Sequence, residues 1–570
     1  MTKKLLALLL AAVLLLGLAA CGEKSGNEAT SAELDLSGAE YHGELPFVKE
    51  GDEPVTVTIG LITNANVTDY KNNAYTKWLE EKTGLNIEFQ QFLSQKEAAT
   101  QIALQIASGE KLPDVLLRFT SITKQQGETY GADGYFLPLT DLIEKYGYYL
   151  KESYAFCYGG DLSQYELTLR RCAGADNQPI YCFPTLLLGS LDGPLVQPWI
   201  NQDWLDKLGL EKPTTIEELY DVLVAFRDGD PNGNGKHDEI PLTGRITGAG
   251  SSSSVDPMNY LLNAFTYYNS FTYFTAKDHV LDAPFKSQEY RDALIFINKL
   301  YNEGLISQLT WTQSSSELRS LLNPEPGDPY LVGVVTAASS SDFLEGKDSM
   351  RAYRPLLPLK DHTGKGGFAP INYTRNLTTY FSIDCEHPVE AFKLVDFMCS
   401  QESYLRQRWG EEGVDWVYAE PGKTGNRGGE AKIKVLNPNV FTDQNAQCWH
   451  MVASVADEMY WQYEVDLSDP NAWNTQYVNK LNEMYDIETN AAQPEEIFDF
   501  AIYSQADYEE RSEFARDLTD YIVARRSAFC TGEADPNSDA DWQEYLTGLD
   551  SLQYDRWIEL AQIGYNRLFE

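Results

Sequence analysis

Between Val55 and Phe119 short β-branched runs alternate with helical stretches, and this order restricts the fold more than any other feature of the chain. Val55-Thr-Val-Thr-Ile-Gly-Leu-Ile62 alternates polar and apolar residues with the period of a strand. Ala74 to Thr83 reads as a helix stopped by Gly84, because a left-handed C-cap favours a residue without Cβ. Leu85 to Gln90 alternates again. Lys96 to Gly109 is helical, with Ile102, Leu104, Ile106 and Ala107 on its apolar side, and Leu112 to Phe119 carries a third strand. A βαβαβ order predicts a parallel sheet with helices on its faces. In open sheets of this kind ligands sit outside the carboxyl ends of the strands. The loops Asn64 to Asp69 and Phe119 to Ser121 are therefore candidate ligand-lining segments.

The N-terminus supplies an address. Lys3-Lys4 precedes an apolar run from Leu5 to Leu16, then Leu18-Ala19-Ala20-Cys21-Gly22. A basic start, a short apolar run and small residues make a secretory signal over residues 1–20, too short for a membrane span. Small residues before a cysteine resemble the bacterial lipobox, in which Cys21 becomes the diacylated (palmitate-bearing) first residue; an ordinary signal peptide with an incidental cysteine is the alternative. Residues 21–50 are rich in Gly, Ser, Glu and Ala and read as a flexible tether. The formal charge of -40, without a Lys/Arg-rich block, argues against nucleic acid and anionic lipid as partners. The cysteines left, Cys157, Cys172, Cys182, Cys385, Cys399, Cys448 and Cys530, are odd in number and contain no C-x-x-C. They read as small buried hydrophobes, with a local Cys157–Cys172 bridge left open.

One segment carries a metal-like pattern. After a Thr214/Thr215 with Glu217/Glu218 capping box, Asp230, Asn232, Asn234 and Asp238 occupy positions 1, 3, 5 and 9 of an EF-hand-like loop. Gly235 stands at position 6, where the chain must turn sharply, and the Lys236 carbonyl at position 7. Position 12 is Pro241 in place of glutamate, so Glu239 is the carboxylate left to close the shell. Calcium, which takes six to eight oxygens, is the expected structural ion; a solvated Asx turn uses the same residue types. His237 would be a spacer, since calcium prefers oxygen.

Aromatic residues crowd the middle of the chain, from Tyr260 through Tyr267, Tyr268 and Phe274, with Trp199, Trp311 and Trp416 flanking. Most such rings are core, but Trp and Tyr pair an apolar face with a polar handle, which suits a sugar. The ligand-binding candidates are Asn64, Asp69, Phe119, Trp199, Tyr268, Trp311 and Trp416. A uronate ligand would also call for a basic residue, which the pattern does not place. Catalytic signatures are missing: there is no G-x-S-x-G elbow, no H-E-x-x-H and no P-loop, and the six histidines form no i, i+4 pair. No segment singles out the carboxylate pair that a glycosidase needs.

Several stretches resemble the family 1 extracellular solute-binding proteins, the capture subunits of ABC importers. These are Ile106 to Val115, Gly134 to Ile143, Asp203 to Leu219, Phe381 to Ala391, Gly410 to Trp416, Phe529 to Glu533 and Asp541 to Tyr545. The Asp230 loop is similar to the calcium loop of the family's large lipoprotein branch, which includes alginate-oligosaccharide binders. The resemblance implies an α/β, two-lobe, periplasmic-binding-protein-like (type II) fold with hinge crossovers and a helical C-terminal extension. One lobe would take residues 51–190 and 372–410, the other 191–371 and 411–570 with the calcium loop. It implies a non-enzymatic monomer, lipid-anchored on the extracellular face of the membrane, that hands a saccharide to a permease. A surface-anchored glycan-degrading or adhesive lipoprotein is the alternative.

Overall fold

A computed structural model describes residues 36, 40–64, 67–175, 178–188, 198–246, 255–338, 342–344, 349–370, 375–437, 448–449, 455–458, 460–472, 475–480, 482–483, 491–498 and 500–570. Fourteen strands fall among them. In chain order they are β1 (Thr56–Ile62), β2 (Asn86–Phe92), β3 (Val115–Leu116), β4 (Phe183–Leu188), β5 (Pro198–Asn201), β6 (Ile240–Thr243) and β7 (Thr275–Lys277). There follow β8 (Val280–Asp282), β9 (Val332–Thr336), β10 (Tyr353–Pro355), β11 (Arg375–Phe381), β12 (Trp416–Tyr418), β13 (Ile433–Val435) and β14 (Val455–Asp457).

The strands make two main sheets. The first has the order β14-β4-β11-β3-β1-β2, the second β10-β5-β9-β6. β1 runs parallel to both β2 and β3, as the βαβαβ order requires. The first sheet is nevertheless mixed, because β11 returns antiparallel between β3 and β4. The helices Ala74–Thr83 and Gln95–Ser108 cover it as expected, each ended by a left-handed glycine. Gly84 is doubly constrained: its φ is +75°, and a Cβ there would collide with the carbonyl of Val48. The third strand is shorter than the run from Leu112 to Phe119 suggests. Pro113 has no N–H to donate, and Arg118 sits at a left-handed φ of 57°, so the ladder is broken on both sides.

Each sheet has its own core. Val57, Ile59, Leu61, Ile87, Val115 and Phe381 centre the first, while Ile200, Leu242, Val334, Leu294 and Trp557 belong to the second. The two-lobe α/β architecture is thus present, and the main chain passes from one sheet or its core to the other three times: after β4, after β10 and after β14. The lobe limits need correction. β14 pairs parallel with β4, and Trp409, Trp416, Ile433, Cys448 and Ala456 form a satellite cluster beside it. The chain from 411 to β14 therefore belongs to the first lobe, not to the second. The helices Ala515–Thr531, Asp539–Ser551 and Tyr554–Asn566 do pack on the second core, through Leu518, Ile522, Leu549 and Leu560. All seven cysteines from Cys157 to Cys530 are free thiols, so the Cys157–Cys172 bridge does not form.

Candidate functional site

β1 and β3 end at the same edge of the first sheet, and the loops that follow them carry the polar candidates. The Asn64 amide N–H donates to the Tyr70 hydroxyl at 3.0 Å, tying the turn after β1 to its own loop. Asp69 accepts from the Asn72 side chain at 2.8 Å and from its backbone N–H at 3.0 Å, which holds the carboxyl below its usual range. After β3, Gln95 binds the next loop from both sides: its Nε2 donates to the Arg118 carbonyl and its Oε1 accepts from the Ser121 N–H, each at 3.1 Å. The same loop carries a basic residue, Arg118. Its half-buried guanidinium stands at the carboxyl end of β3, and burial pulls its pKa down. The sequence signal was only positional, a cation just past a strand; its desolvation is visible only in the fold.

The aromatic candidates largely turn inward. Phe119 is buried edge-on against Phe92, with centroids 5.2 Å apart. Trp199 is 0% exposed, packs against Phe343 and donates its indole N–H to the Ala337 carbonyl at 3.0 Å. Its position beside a crossover suggested a cleft wall, but β5 is flanked by β9 and β10 and the ring points into the cluster between sheet and helices. Tyr268 is buried as well, its hydroxyl accepting from Arg526 Nη1 at 3.1 Å. Trp416 is buried with its indole N–H on the Gly410 carbonyl at 3.2 Å. All four have packing roles, and Trp416 also lines a groove of the first lobe. Trp311 differs: it is half-buried, edge-on to Tyr301, and its buried indole N–H has no hydrogen-bond partner among the described residues. Thus Asn64 and Arg118 follow the carboxyl ends of β1 and β3, Asp69 lies further along the loop with Asn72, Trp199, Tyr268 and Trp311 belong to the second lobe, and Trp416 belongs to the satellite cluster.

The Asp230 loop follows the helix Ile216–Asp228. Thr215 and Glu218 form the capping box of the helix Ile216–Asp228 that delivers it. Asp230 Oδ1 accepts from the Asn234 N–H at 3.1 Å and Oδ2 from the Gly235 N–H at 3.1 Å, folding the chain around that carboxylate. Gly235 has a φ of 73°, the left-handed turn expected at position 6. Asn232 and Asn234 donate to Asp238 at 2.9 and 3.0 Å, and these bonds keep its carboxyl below the usual range. Asn234 Oδ1 accepts from the Lys236 N–H at 2.8 Å. Glu239 is the exception in this network: both its carboxylate oxygens are buried without a hydrogen-bond partner among the described residues. Among the described residues no three His, Cys, Asp or Glu side chains converge as a cluster, so the oxygens available here are as much amide as acid.

Comparison with known proteins places these features in context. The family model for bacterial extracellular solute-binding proteins matches residues 64–405. Over 96% of this chain and 95% of the relative, the sequence is 24% identical to the fructooligosaccharide ABC transporter substrate-binding protein FusA of Streptococcus pneumoniae. Among solved structures, an HMO-binding, ABC-transporter-associated solute-binding protein of Bifidobacterium longum infantis aligns with a TM-score of 0.74 at 20% identity, covering 90% of this chain and 99% of that one. An EF-hand mutant of FusA in complex with fructo-nystose aligns at 0.67 and 21% identity, covering 90% and 99%. The alginate-binding protein AlgQ2, solved without its calcium ion, aligns at 0.61 and 21%, covering 92% and 100%.

Proposed function

Because the chain belongs to the bacterial extracellular solute-binding proteins, we propose that it captures a saccharide between its two lobes and delivers it to an ABC permease. The observation that carries this reading is mechanical. Two sheets with separate cores are joined by three passages of the main chain, which is the construction of a hinge. Closure requires only that a ligand make more contacts in the closed form than in the open one. Asn64 and Arg118 lie at the carboxyl ends of the first sheet, where such contacts are expected, and Asp69 stands further along the loop after β1. Arg118 gives the edge a desolvated cation, suited to hydroxyls or to a uronate carboxylate. Trp311, with its spare indole N–H, is the candidate from the second lobe.

The ligand should raise the melting temperature without being consumed. A thermal-shift screen with kestose, alginate oligosaccharides and lacto-N-tetraose is expected to give a rise for at least one of them. At a hundredfold excess over Kd the stabilisation is about 2.7 kcal/mol. The same incubations should yield no new reducing ends. Turnover would favour the glycan-degrading alternative.

Calcium is proposed as a structural ion of the second lobe. The relatives include an EF-hand mutant and a structure named for its missing calcium ion. The residues present fit such an ion in one respect that the loop's own hydrogen bonds do not explain, the buried and unpartnered Glu239 carboxylate. Asp230, Asn232, Asn234, Asp238, Glu239 and the Lys236 carbonyl would hold it. A chelator is expected to lower the melting temperature of the wild type and leave that of Asp230→Ala or Asp238→Ala unmoved. A chelator with no effect, together with protein that carries no metal, rejects the ion.

We also assign Cys21, outside the described residues, as a diacylated anchor that tethers a monomer to the outer face of the membrane. Among the described residues no helix is long and apolar enough to cross one. Globomycin treatment or Cys21→Ser should release the protein or leave its signal uncleaved; unchanged processing and membrane retention would refute the anchor.

A further inference from the structure

The first lobe carries a groove of about 610 Å³ lined by its own elements alone, so closure of the lobes is not needed to build it. One wall is a face of the helix Ala74–Thr83, with Ala74, Lys77, Trp78 and Glu81 at i, i+3, i+4 and i+7. The opposite wall comes from the helix Gln401–Trp409, the loop after it, β12 and Trp461. The volume lies in the range of small-ligand sites, roughly 300–1,000 Å³.

Its aromatic rings are fixed from behind. The Trp461 indole N–H donates to Gln401 Oε1 at 2.8 Å, and the ring stacks on Phe156 at 6.0 Å and 16°. Gln401 is in turn held by Ser153 Oγ at 3.1 Å and the Val455 carbonyl at 2.8 Å. Trp78 stacks with Tyr75 at 5.7 Å and with Phe397 at 5.5 Å. Trp416 spends its N–H on Gly410, and Tyr418 packs against it at 5.2 Å and 76°. Tyr418 itself is 56% exposed. With the N–H groups of Trp416 and Trp461 turned inward, those indoles present carbon to the groove.

The rim is polar and rich in acceptors. Glu81, Glu402, Glu411 and Glu412 still outnumber the cations around them: Lys77 and Arg406 line the groove, and Lys82 pairs with Glu402 at 2.8 Å. Arg406 is incompletely matched: its side chain is 10% exposed, Nη2 lies 3.5 Å from Glu411, and Nη1 has no hydrogen-bond partner among the described residues. A desolvated guanidinium with a free donor is costly unless a ligand oxygen or water completes it. Apolar platforms ringed by carboxylates match a molecule with C–H faces and hydroxyl donors, while the excess of carboxylates repels a polyanion.

We propose that this groove is a second saccharide site, holding a neutral sugar unit of a polymer on the flank of the first lobe while the cleft takes the transported ligand. The proposal rests on reading the chain as a saccharide binder, and its test separates the two sites. Affinity electrophoresis of the purified protein in gels containing inulin, galactomannan, dextran or alginate should show retardation in at least one neutral gel and none in alginate. Tyr418→Ala/Trp461→Ala should migrate as in an empty gel. Tyr418→Phe, which keeps the ring, should be retarded like the wild type and so guards against a folding artefact. A kestose thermal shift, where the wild type shows one, should survive in the double variant. Free migration of the wild type in every neutral gel, stronger retardation in alginate, or a double variant retarded like the wild type would each overturn the site. Loss of a kestose shift in the double variant would merge the groove with the cleft and overturn it too. The gel decides the groove and the thermal shift decides the cleft, so the two readings fail separately.

Discussion

Replacing Arg526 with alanine is expected to lower the unfolding free energy of the second lobe by about 3–5 kcal/mol, the cost of stranding a buried charge. Arg526 Nη2 lies 3.4 Å from Asp256 Oδ2, and the side chains are only 3% and 2% exposed. Nη1 donates to the Tyr268 hydroxyl at 3.1 Å, and the guanidinium carbon stands 5.9 Å from that ring. Burial works against the charge, but Tyr268 and Asp256 outweigh it and hold the guanidinium's pKa above its ordinary value. Asp256 has a second task, since its Oδ1 accepts from the Met258 N–H at 2.9 Å and caps the helix Pro257–Leu262. Without the arginine, that carboxylate loses its buried counter-charge. The double variant Asp256→Asn/Arg526→Met leaves no charge behind and should recover part of the loss. Urea unfolding of the wild type, single and double variants measures it. A single variant within about 1 kcal/mol of the wild type would show that water reaches the pair, as at an exposed salt bridge.

The second large effect is one of pH. Asp396 is fully buried on the helix Pro388–Met398 and accepts from the N–H groups of Tyr149 and Leu150, each at 2.9 Å. It thereby caps from outside the helix Tyr148–Cys157, whose own N-cap, Gly147, has no side chain to do so. Burial raises its pKa to about 7, against the backbone N–H groups of Leu150, Tyr149 and Tyr148, which favour the charge. The folded-state value then lies above the unfolded one, so the native protein holds a proton that the unfolded chain has released. The resulting stabilisation is fully present below about pH 4 and is lost as pH rises through about 7, roughly 4 kcal/mol across that window. Other carboxylates also titrate there, so the contrast with Asp396→Asn isolates it. The free-energy difference between wild type and variant should move against the wild type from pH 4.5 to pH 8. A constant difference would mean that the carboxylate is ionised throughout and that the helix N-terminus prevails over desolvation.

Local features were legible in the sequence because their causes span a few residues. Thr215 with Glu218 and the terminating Gly84 act within one helical turn, and they stand where the spacing puts them. The same holds for Asp230 folding the backbone of Asn234 and Gly235 around itself. Misreadings arose where a neighbour in space overrode the local pattern. Leu112 to Phe119 has the composition of a longer strand, but Pro113 and the left-handed Arg118 restrict its pairing. Trp199 and Tyr268 lie beside a crossover and a loop, yet their polar atoms are claimed by Ala337 and Arg526. Glu239 was named only as a substitute ligand; that its buried oxygens have no hydrogen-bond partner among the described residues became visible once the loop was folded.

By itself, the sequence determined that the chain begins as an α/β sheet, stops its helices at glycine and builds an Asx-rich loop, since periodicity and capping act over one to four residues. The tertiary structure decided what depends on distant partners: β14 joining β4, Arg526 reaching Asp256 across 270 positions, and Arg118 becoming a desolvated cation at a strand end. Burial and charge pairing belong to the packed chain, and no window along the sequence contains both members of such a pair.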